Sequence, residues 1–391
     1  MIVQSKGFTK TQENTGGKKM SRKIYVVFSL TMVLGLLLAA CAPETVEVVK
    51  EVPVEVTRIV EVEVEVEAAG PASGYGATLA AIQDRGYLIC GGAYAVPGFG
   101  YIQEDGSHVG FDIDVCRAIT AAIFGDPDAI EYSDQTSKTR FTALANGELD
   151  LLSRTTTWTL TRDTELAANF THTTFYDGQG MMVRKASGFA ELEDLDGGSI
   201  CVTTGTTTEL NLADQFASRG LEYEPILFEE ADDTWGAYEE GRCDAVTTDK
   251  SGLAARRTLL AVPDDHYVMA VTMSKEPLGP VVRHGDDQWF DVVDWVVYAL
   301  IFAEEQGITS GNIDTFKGSG NPNIAKMLGE EGEMGAKLGL SNDWAYNAIK
   351  LVGNYGEIYD RHLGPDTPVF IPRGMNELYA NGGLMYSPPI R

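Results

Sequence analysis

Between Asp150 and Arg162 the chain reads DLLSRTTTWTLTR, a run of hydroxyls with one arginine inside it, Arg154, and another, Arg162, at its end. Threonine carries a donor and an acceptor on a stiff β-branched stem. Arginine presents a planar fork that meets a carboxylate in two parallel hydrogen bonds. Such a stretch can hold a small anion, or a zwitterion by its carboxylate. On composition alone the same residues also describe a polar, β-rich surface loop.

Those side chains need a frame. The sequence predicts a short helix over 77–86 and a strand over 87–90. A loop over 91–101 follows, carrying Tyr94, Pro97 and Phe99. Phe111, Val115, Ile119 and Ile123 recur at helical spacing, so a helix is expected from Gly110 to about Phe124. A strand over 129–132, a helix over 139–145 and the short strand Leu151-Leu152 complete a β-α-β-α-β order. That order argues for an α/β layered domain with a mostly parallel sheet.

A second unit of the same kind is expected over 185–272. Its strands lie at 199–203 and 243–248, the latter ending in Asp249. Between them Gly205-Thr206-Thr207-Thr208-Glu209 opens a helix. Hydroxyls there can simply cap free backbone N–H groups. The same N–H groups, at the positive end of the helix dipole, can also attract a carboxylate. The chain returns through 273–282, resumes helical spacing over 289–306, and continues with helices near 324–328, 336–338 and 343–352. It ends in turns rich in Gly and Pro.

The start of the chain is of another character. Residues 1–24 are polar and basic, and 25–38 (YVVFSLTMVLGLLL) are almost wholly apolar. This apolar run is shorter than the roughly 20 residues a membrane span needs, and with small residues after it reads as a secretory signal. Leu38-Ala39-Ala40-Cys41 resembles the bacterial lipobox, whose cysteine is lipidated. The long basic stretch before Met20 makes Met20 an alternative start. Over 42–67 valine alternates with glutamate, interrupted by Pro43 and Pro53. Self-repelling glutamates extend a chain, so a tether is expected, with β self-pairing as the alternative. Small residues over 68–76 link it to the folded part.

The formal net charge is −27 and the pI about 4.5. Nucleic-acid binding wants a basic face, so that class is set aside. Apart from Cys41 there are Cys90, Cys116, Cys201 and Cys243. Export makes disulfides possible, and four cysteines pair in three ways or stay as buried thiols. No C-x-x-C or histidine cluster occurs, so neither metal nor cofactor is expected.

Several stretches together resemble a known family. They include YLICGGAYAVPGFG, GFDIDVCRAITAAIFGDPD, RFTALANGELDLLSRTTTWTLTRDTEL, CVTTGTTTELNLADQF, GRCDAVTTDKSGL and NGGLMYSPPIR. The resemblance is to the general L-amino-acid-binding proteins of bacterial polar amino acid ABC importers (solute-binding family 3), and it covers essentially all of 77–391. Gly147-Glu148-Leu149-Asp150 and Arg162 keep that family's spacing. The resemblance implies a two-lobed α/β fold of the periplasmic-binding-protein type II, with two hinge crossings, the first near 180–184. The expected division is a lipoprotein signal over 1–40, a tether and linker over 41–76, lobe one over 77–182, lobe two over 183–273, and a return with C-terminal extension over 274–391. Cys90 ends the first strand and Cys116 lies in the helix after it, while Cys201 and Cys243 lie in strands expected to be neighbours. The pairs Cys90–Cys116 and Cys201–Cys243 are therefore expected, each within one lobe.

By matched position, Thr155, Thr157 and Arg162 would come from lobe one, and Thr207 and Asp249 from lobe two. Arg162 would take an α-carboxylate and Asp249 an α-ammonium. Tyr94, Phe99 and Trp158 are candidate walls of a side-chain pocket or else packed residues. Arg154 would face an acidic ligand side chain or solvent. Where many relatives carry an acidic or other polar contact after the first strand, this chain has Gly92-Ala93-Tyr94-Ala95, which leaves side-chain recognition open; the subgroup it resembles tends to be broad, so breadth is what the resemblance implies. The implied protein is monomeric, exported, and held by its lipid on the outer face of the cell membrane. It hands an L-amino acid to a permease without covalent chemistry. A dehydratase-like enzyme on the same fold, or an amino-acid-sensing lipoprotein, are the competing readings.

Overall fold

The computed structural model describes residues 76–391. The signal over 1–40, the lipidation of Cys41 and the tether up to residue 75 lie outside the described residues. Two five-stranded sheets organise the described chain. In chain order the strands of these sheets are β1 Leu88–Gly92, β2 Ile130–Asp134, β3 Leu151–Leu152, β4 Ala168–Phe170, β5 Gln179–Arg184, β6 Gly198–Thr203, β7 Tyr223–Phe228, β8 Ala245–Asp249, β9 His266–Val268 and β10 Val281–Arg283.

The first sheet has the order β2-β1-β3-β10-β4 and the second β7-β6-β8-β5-β9. In the first, β1 runs parallel to β2 and β3, while β10 is antiparallel to β3 and β4. In the second, β6 runs parallel to β7 and β8, and β5 is antiparallel to β8 and β9. Both lobes thus repeat one plan, three parallel strands followed by one antiparallel strand that joins them to a last strand. Four strands of each sheet therefore run the same way, as the expectation of a mostly parallel sheet requires, and one, β10 or β5, runs against them.

The chain passes between lobes beside a two-stranded ribbon, in which Phe175–Asp177 pairs antiparallel with Glu276–Leu278. The strand expected to carry the first crossing, β5, instead lies wholly in the second sheet, so the expected boundary after Met182 falls inside a strand. Met181, Met182 and Val183 are fully buried there. At the crossing itself Gly178 has no room for a side chain: a Cβ would sit 2.4 Å from Thr272 and 2.7 Å from the Ser274 carbonyl.

Each lobe has its own apolar core. Leu88, Phe111, Val115 and Ile119 pack with Trp289, Val292, Val293 and Val296 of the long helix Asp287–Glu305. The second core holds Val183, Ile200, Val202, Leu212 and Phe216. The C-terminal extension is a third layer on the first core. Its Trp344, Ile349, Tyr355, Ile358, Tyr359 and Leu363 are buried, each worth about 1.5–3 kcal/mol of transfer free energy. The helix Tyr355–Leu363, within the region read from sequence as turns, has a reciprocal capping box between Asn354 and Glu357.

Cys90 is bonded to Cys116 and Cys201 to Cys243, with Cα separations of 6.4 and 5.7 Å. The first bond ties β1 to the helix Phe111–Phe124, and the second ties β6 to the residues leading into β8. Closing such loops contributes about 2–4 kcal/mol each.

Candidate functional site

Side chains from both lobes line one cleft. Thr155 and Thr157 reach it from the loop after β3, Thr207 from the first turn of the helix Thr207–Arg219, and Asp249 from the end of β8. Thr159 caps the short helix Leu160–Glu165 by accepting from the Arg162 N–H at 3.2 Å. The Thr157 backbone pairs with Leu278 of the ribbon, so the hydroxyl loop is anchored to the hinge.

Arg162 stands directly behind the cleft wall. It is 7% exposed, lies over the Phe141 ring, and donates from Nη1 to the Thr157 carbonyl at 2.8 Å. Burial lowers its pKa, while the charges of Glu276 and Asp249 act in the opposite direction. Thr157 Oγ1 and Thr207 Oγ1 are 3.5 Å apart, which joins the lobes.

Asp249 occupies the cap position of the helix Lys250–Arg257 but makes no side-chain cap bond. Its Oδ1 is sealed from solvent without a hydrogen-bond partner. Burial raises its pKa well above the carboxylate range. The charges of Asp177 and Glu276 add to this, and Arg162 and Arg140 oppose it. A buried carboxylate oxygen with no donor is costly, and an ammonium group would satisfy it.

Thr155 has φ +32°, unusual for a β-branched residue, and its N–H donates to Asp112 Oδ2 at 2.7 Å. Burial raises the Asp112 pKa to about 6, against the Thr155 N–H and the Arg154 charge.

The structure separates the other expected wall residues. Tyr94 stands at the rim, where its hydroxyl donates to Glu230 of the opposite lobe. Phe99 does not reach the cleft: it is fully buried in the first core, with ring centroids 5.1 Å from Phe175 and 6.2 Å from Phe111. Trp158 points away as well. It is 47% exposed and stacks on Phe170.

Several site residues escaped the sequence reading. Arg140 is 2% exposed and lines the cleft, with Nη1 on the Arg154 carbonyl and Thr156 Oγ1 at 3.3 and 3.2 Å and Nε unpartnered. It opens the helix Arg140–Asn146, where a cation opposes the helix dipole, and that misplacement was the available signal. Glu276, 1% exposed in the ribbon, accepts from Thr207 Oγ1 and Asn211 Nδ2 at 2.8 Å each, and from Ser274. Gln179 donates to the Thr208 carbonyl and Thr247 Oγ1 at 2.9 Å each and leaves its Oε1 unpaired. Nothing in the local pattern marked Glu276 or Gln179, because their partners are distant in sequence.

Among the described residues no group of His, Cys, Asp and Glu could hold a metal ion, and no helix is long and apolar enough to cross a membrane. The cleft is lined by Arg140 and Arg154 on the first lobe and by Asp249, Arg256 and several threonines on the second, with Val96, Trp235 and Val246 as apolar wall.

Comparison with known proteins agrees with this geometry. The profile of the bacterial extracellular solute-binding proteins, family 3, matches residues 88–307. The chain is 50% identical over 326 residues to the general L-amino acid-binding periplasmic protein AapJ of Rhizobium johnstonii, covering 83% of this chain and 96% of that protein. It is 48% identical to the glutamate/glutamine/aspartate/asparagine-binding protein BztA of Rhodobacter capsulatus, covering 83% and 95%. A solved structure, an ABC transporter periplasmic binding protein from Brucella ovis with glutathione bound, has 46% identity and a TM-score of 0.79. It covers 80% of this chain and 99% of that one.

Proposed function

This chain belongs to family 3 of the bacterial extracellular solute-binding proteins, and on that premise we propose that it captures L-amino acids in the interlobe cleft and delivers them to the permease of an ABC transporter. One observation carries the reading. The cation and the unpaired carboxylate that suit the two ends of an amino acid, Arg162 and Asp249, come from different lobes. A bound zwitterion would therefore touch both lobes at once and favour the closed state through contacts the open state lacks. Thr155, Thr157 and Thr207 would supply the remaining hydrogen bonds. Each charged end must be matched nearly fully, since its desolvation is otherwise unfavourable. No covalent step is needed, and the protein is proposed to be a monomeric receptor without enzymatic activity.

The lipobox-like Leu38-Ala39-Ala40-Cys41 supports a lipid-anchored protein on the outer face of the membrane, with 41–76 as spacer. Replacing Cys41 by Ser should release it from the membrane fraction, and retention there would refute the anchor. Binding is tested by a thermal-shift screen of ligand-free protein against the amino acids, glutathione, sugars and organic acids. Ligand at a hundredfold over its Kd stabilises by about 2.7 kcal/mol, which is readily seen. No shift with any amino acid, after mass spectrometry has excluded a copurified ligand, would overturn the reading. Glutathione is the second reading, favoured by the ligand of the Brucella ovis relative.

A further inference from the structure

Arg154 has one committed donor and two spare ones. Its Nε donates to the Gln135 carbonyl at 2.6 Å, and among the described residues neither Nη1 nor Nη2 has a hydrogen-bond partner. The guanidinium faces the cleft. Two carboxylates influence it without pairing with it: Asp112 is taken by the Thr155 N–H, and Glu230 by the Tyr94 hydroxyl. Burial brings the Arg154 pKa down to about 10, with Tyr94, Asp112 and Glu230 acting against burial and Arg162 with it. Arg140 lies alongside, holding the Arg154 carbonyl and leaving its own Nε sealed and unpartnered.

Arg154 is half-buried, and its two Nη groups, without a protein partner, present a planar fork that a carboxylate entering the cleft can meet in two parallel hydrogen bonds. Neither end of the amino-acid head meets this fork, because Arg162 and Asp249 are assigned to those ends. What remains is the far end of the ligand. The cleft there sets the Arg154 fork beside the hydroxyls of Ser137, Thr203 and Thr234, with Val96, Ala231 and Trp235 as its apolar wall.

We propose that Arg154, flanked by Arg140, is a subsite for a second carboxylate, so that the preferred ligands are amino acids carrying one beyond the α-carboxylate. This rests on the amino-acid reading above. A side-chain amide would use the same donors more weakly. A lysine or arginine side chain would meet like charge and be disfavoured. The second carboxylate can belong to a dicarboxylic amino acid or to a peptide with an amino-acid head, and the two sources are separable by experiment.

Calorimetry on the full mature protein, freed of copurified ligand, is the test, with L-glutamate, L-glutamine, L-leucine, L-lysine and glutathione as probes. Glutamate is expected to bind about tenfold or more tighter than glutamine, as charge-assisted bonds outweigh neutral ones. Lysine should be weakest. Glutathione binding tighter than glutamate would assign the second carboxylate to a peptide, still at Arg154. Arg154→Met should cost the dicarboxylic probe about thirtyfold or more and glutamine less than about threefold. Arg154→Lys, which keeps the charge and loses the fork, should fall between them and guards against misfolding of the Met variant. Equal affinities for glutamate, glutamine and leucine in the wild type would overturn the subsite while leaving amino-acid binding intact. Equal losses for glutamate and glutamine in the variant would overturn it too. Absence of binding by every probe would overturn the underlying reading instead.

Discussion

Thr157 and Thr207 meet hydroxyl to hydroxyl at 3.5 Å, although one belongs to the loop after β3 of the first sheet and the other opens a helix of the second lobe. Behind Thr157 stands Arg162, bound to its carbonyl, and the Thr207 hydroxyl donates a hydrogen bond to Glu276 in the ribbon between the lobes. A cation, two hydroxyls and a carboxylate thus form one chain from lobe one through lobe two to the hinge. Any ligand group that enters between the two threonines acts on both lobes and on the crossing together.

Arg162→Ala removes the cationic end of this chain. Affinity for any L-amino acid should fall by about 2–5 kcal/mol, the usual cost of truncating one partner of a buried charge pair. Calorimetry with a small ligand such as L-alanine is the clean measurement, since it isolates the α-carboxylate from side-chain effects. Near-normal affinity would refute the carboxylate assignment.

Asp249 gives a pH signature. In the empty cleft, burial first and the Asp177 and Glu276 charges next raise its pKa well above the carboxylate range. A bound ammonium stabilises the ionised form and lowers that pKa, so binding releases protons and affinity rises with pH across the raised pKa. Titrations in buffers of different ionisation enthalpy should detect this release, and Asp249→Asn should abolish it. The same variant should weaken amino acids far more than their deaminated analogues.

Asp112 carries a stability prediction. Its pKa rises from 3.8 to about 6 in the fold. The native state therefore holds a proton that the unfolded chain has released between those values, and stability falls as pH rises through this window. The penalty is absent below about pH 4 and complete above about pH 6. By linkage it amounts to roughly 3 kcal/mol. Asp112→Asn keeps an acceptor for the Thr155 N–H without the charge. Its stability relative to wild type should grow by up to that amount between pH 4 and 7, measured by urea unfolding. A constant difference would refute the cause.

What was legible in the sequence was whatever is local. The helix Phe111–Phe124 shows its spacing, and the Asp150–Arg162 stretch shows its chemistry within one loop. The family resemblance supplied Thr207 and Asp249 by position, which spacing alone cannot do. Glu276 was invisible because its meaning comes from Thr207 and Asn211, which approach it only when the ribbon forms. Phe99 misled for the same reason. An aromatic beside a site loop suits a pocket wall equally well until Phe111 and Phe175 are seen to close around it. The sequence left open which strand of each mostly parallel sheet runs in reverse, because β5 and β10 are apolar runs without a directional mark.

Tyr94 was a candidate wall and is found at the rim, where its hydroxyl donates to Glu230 across the cleft. It is joined there by Lys138 with Glu229 and by Arg256, whose Nη1 reaches the Ala95 carbonyl at 2.7 Å. All three contacts link the lobes and would be lost on opening. A wall residue changes affinity according to the ligand side chain, whereas a rim contact changes the closing equilibrium itself. Tyr94→Phe keeps the ring and removes only the hydroxyl. It should weaken every ligand by a similar factor, about 0.5–1.5 kcal/mol, and do so through faster dissociation. Stopped-flow release of several amino acids compares them directly. A loss confined to one class of side chain would return Tyr94 to the pocket wall, while a uniform loss identifies a latch that sets residence time for whatever the cleft contains.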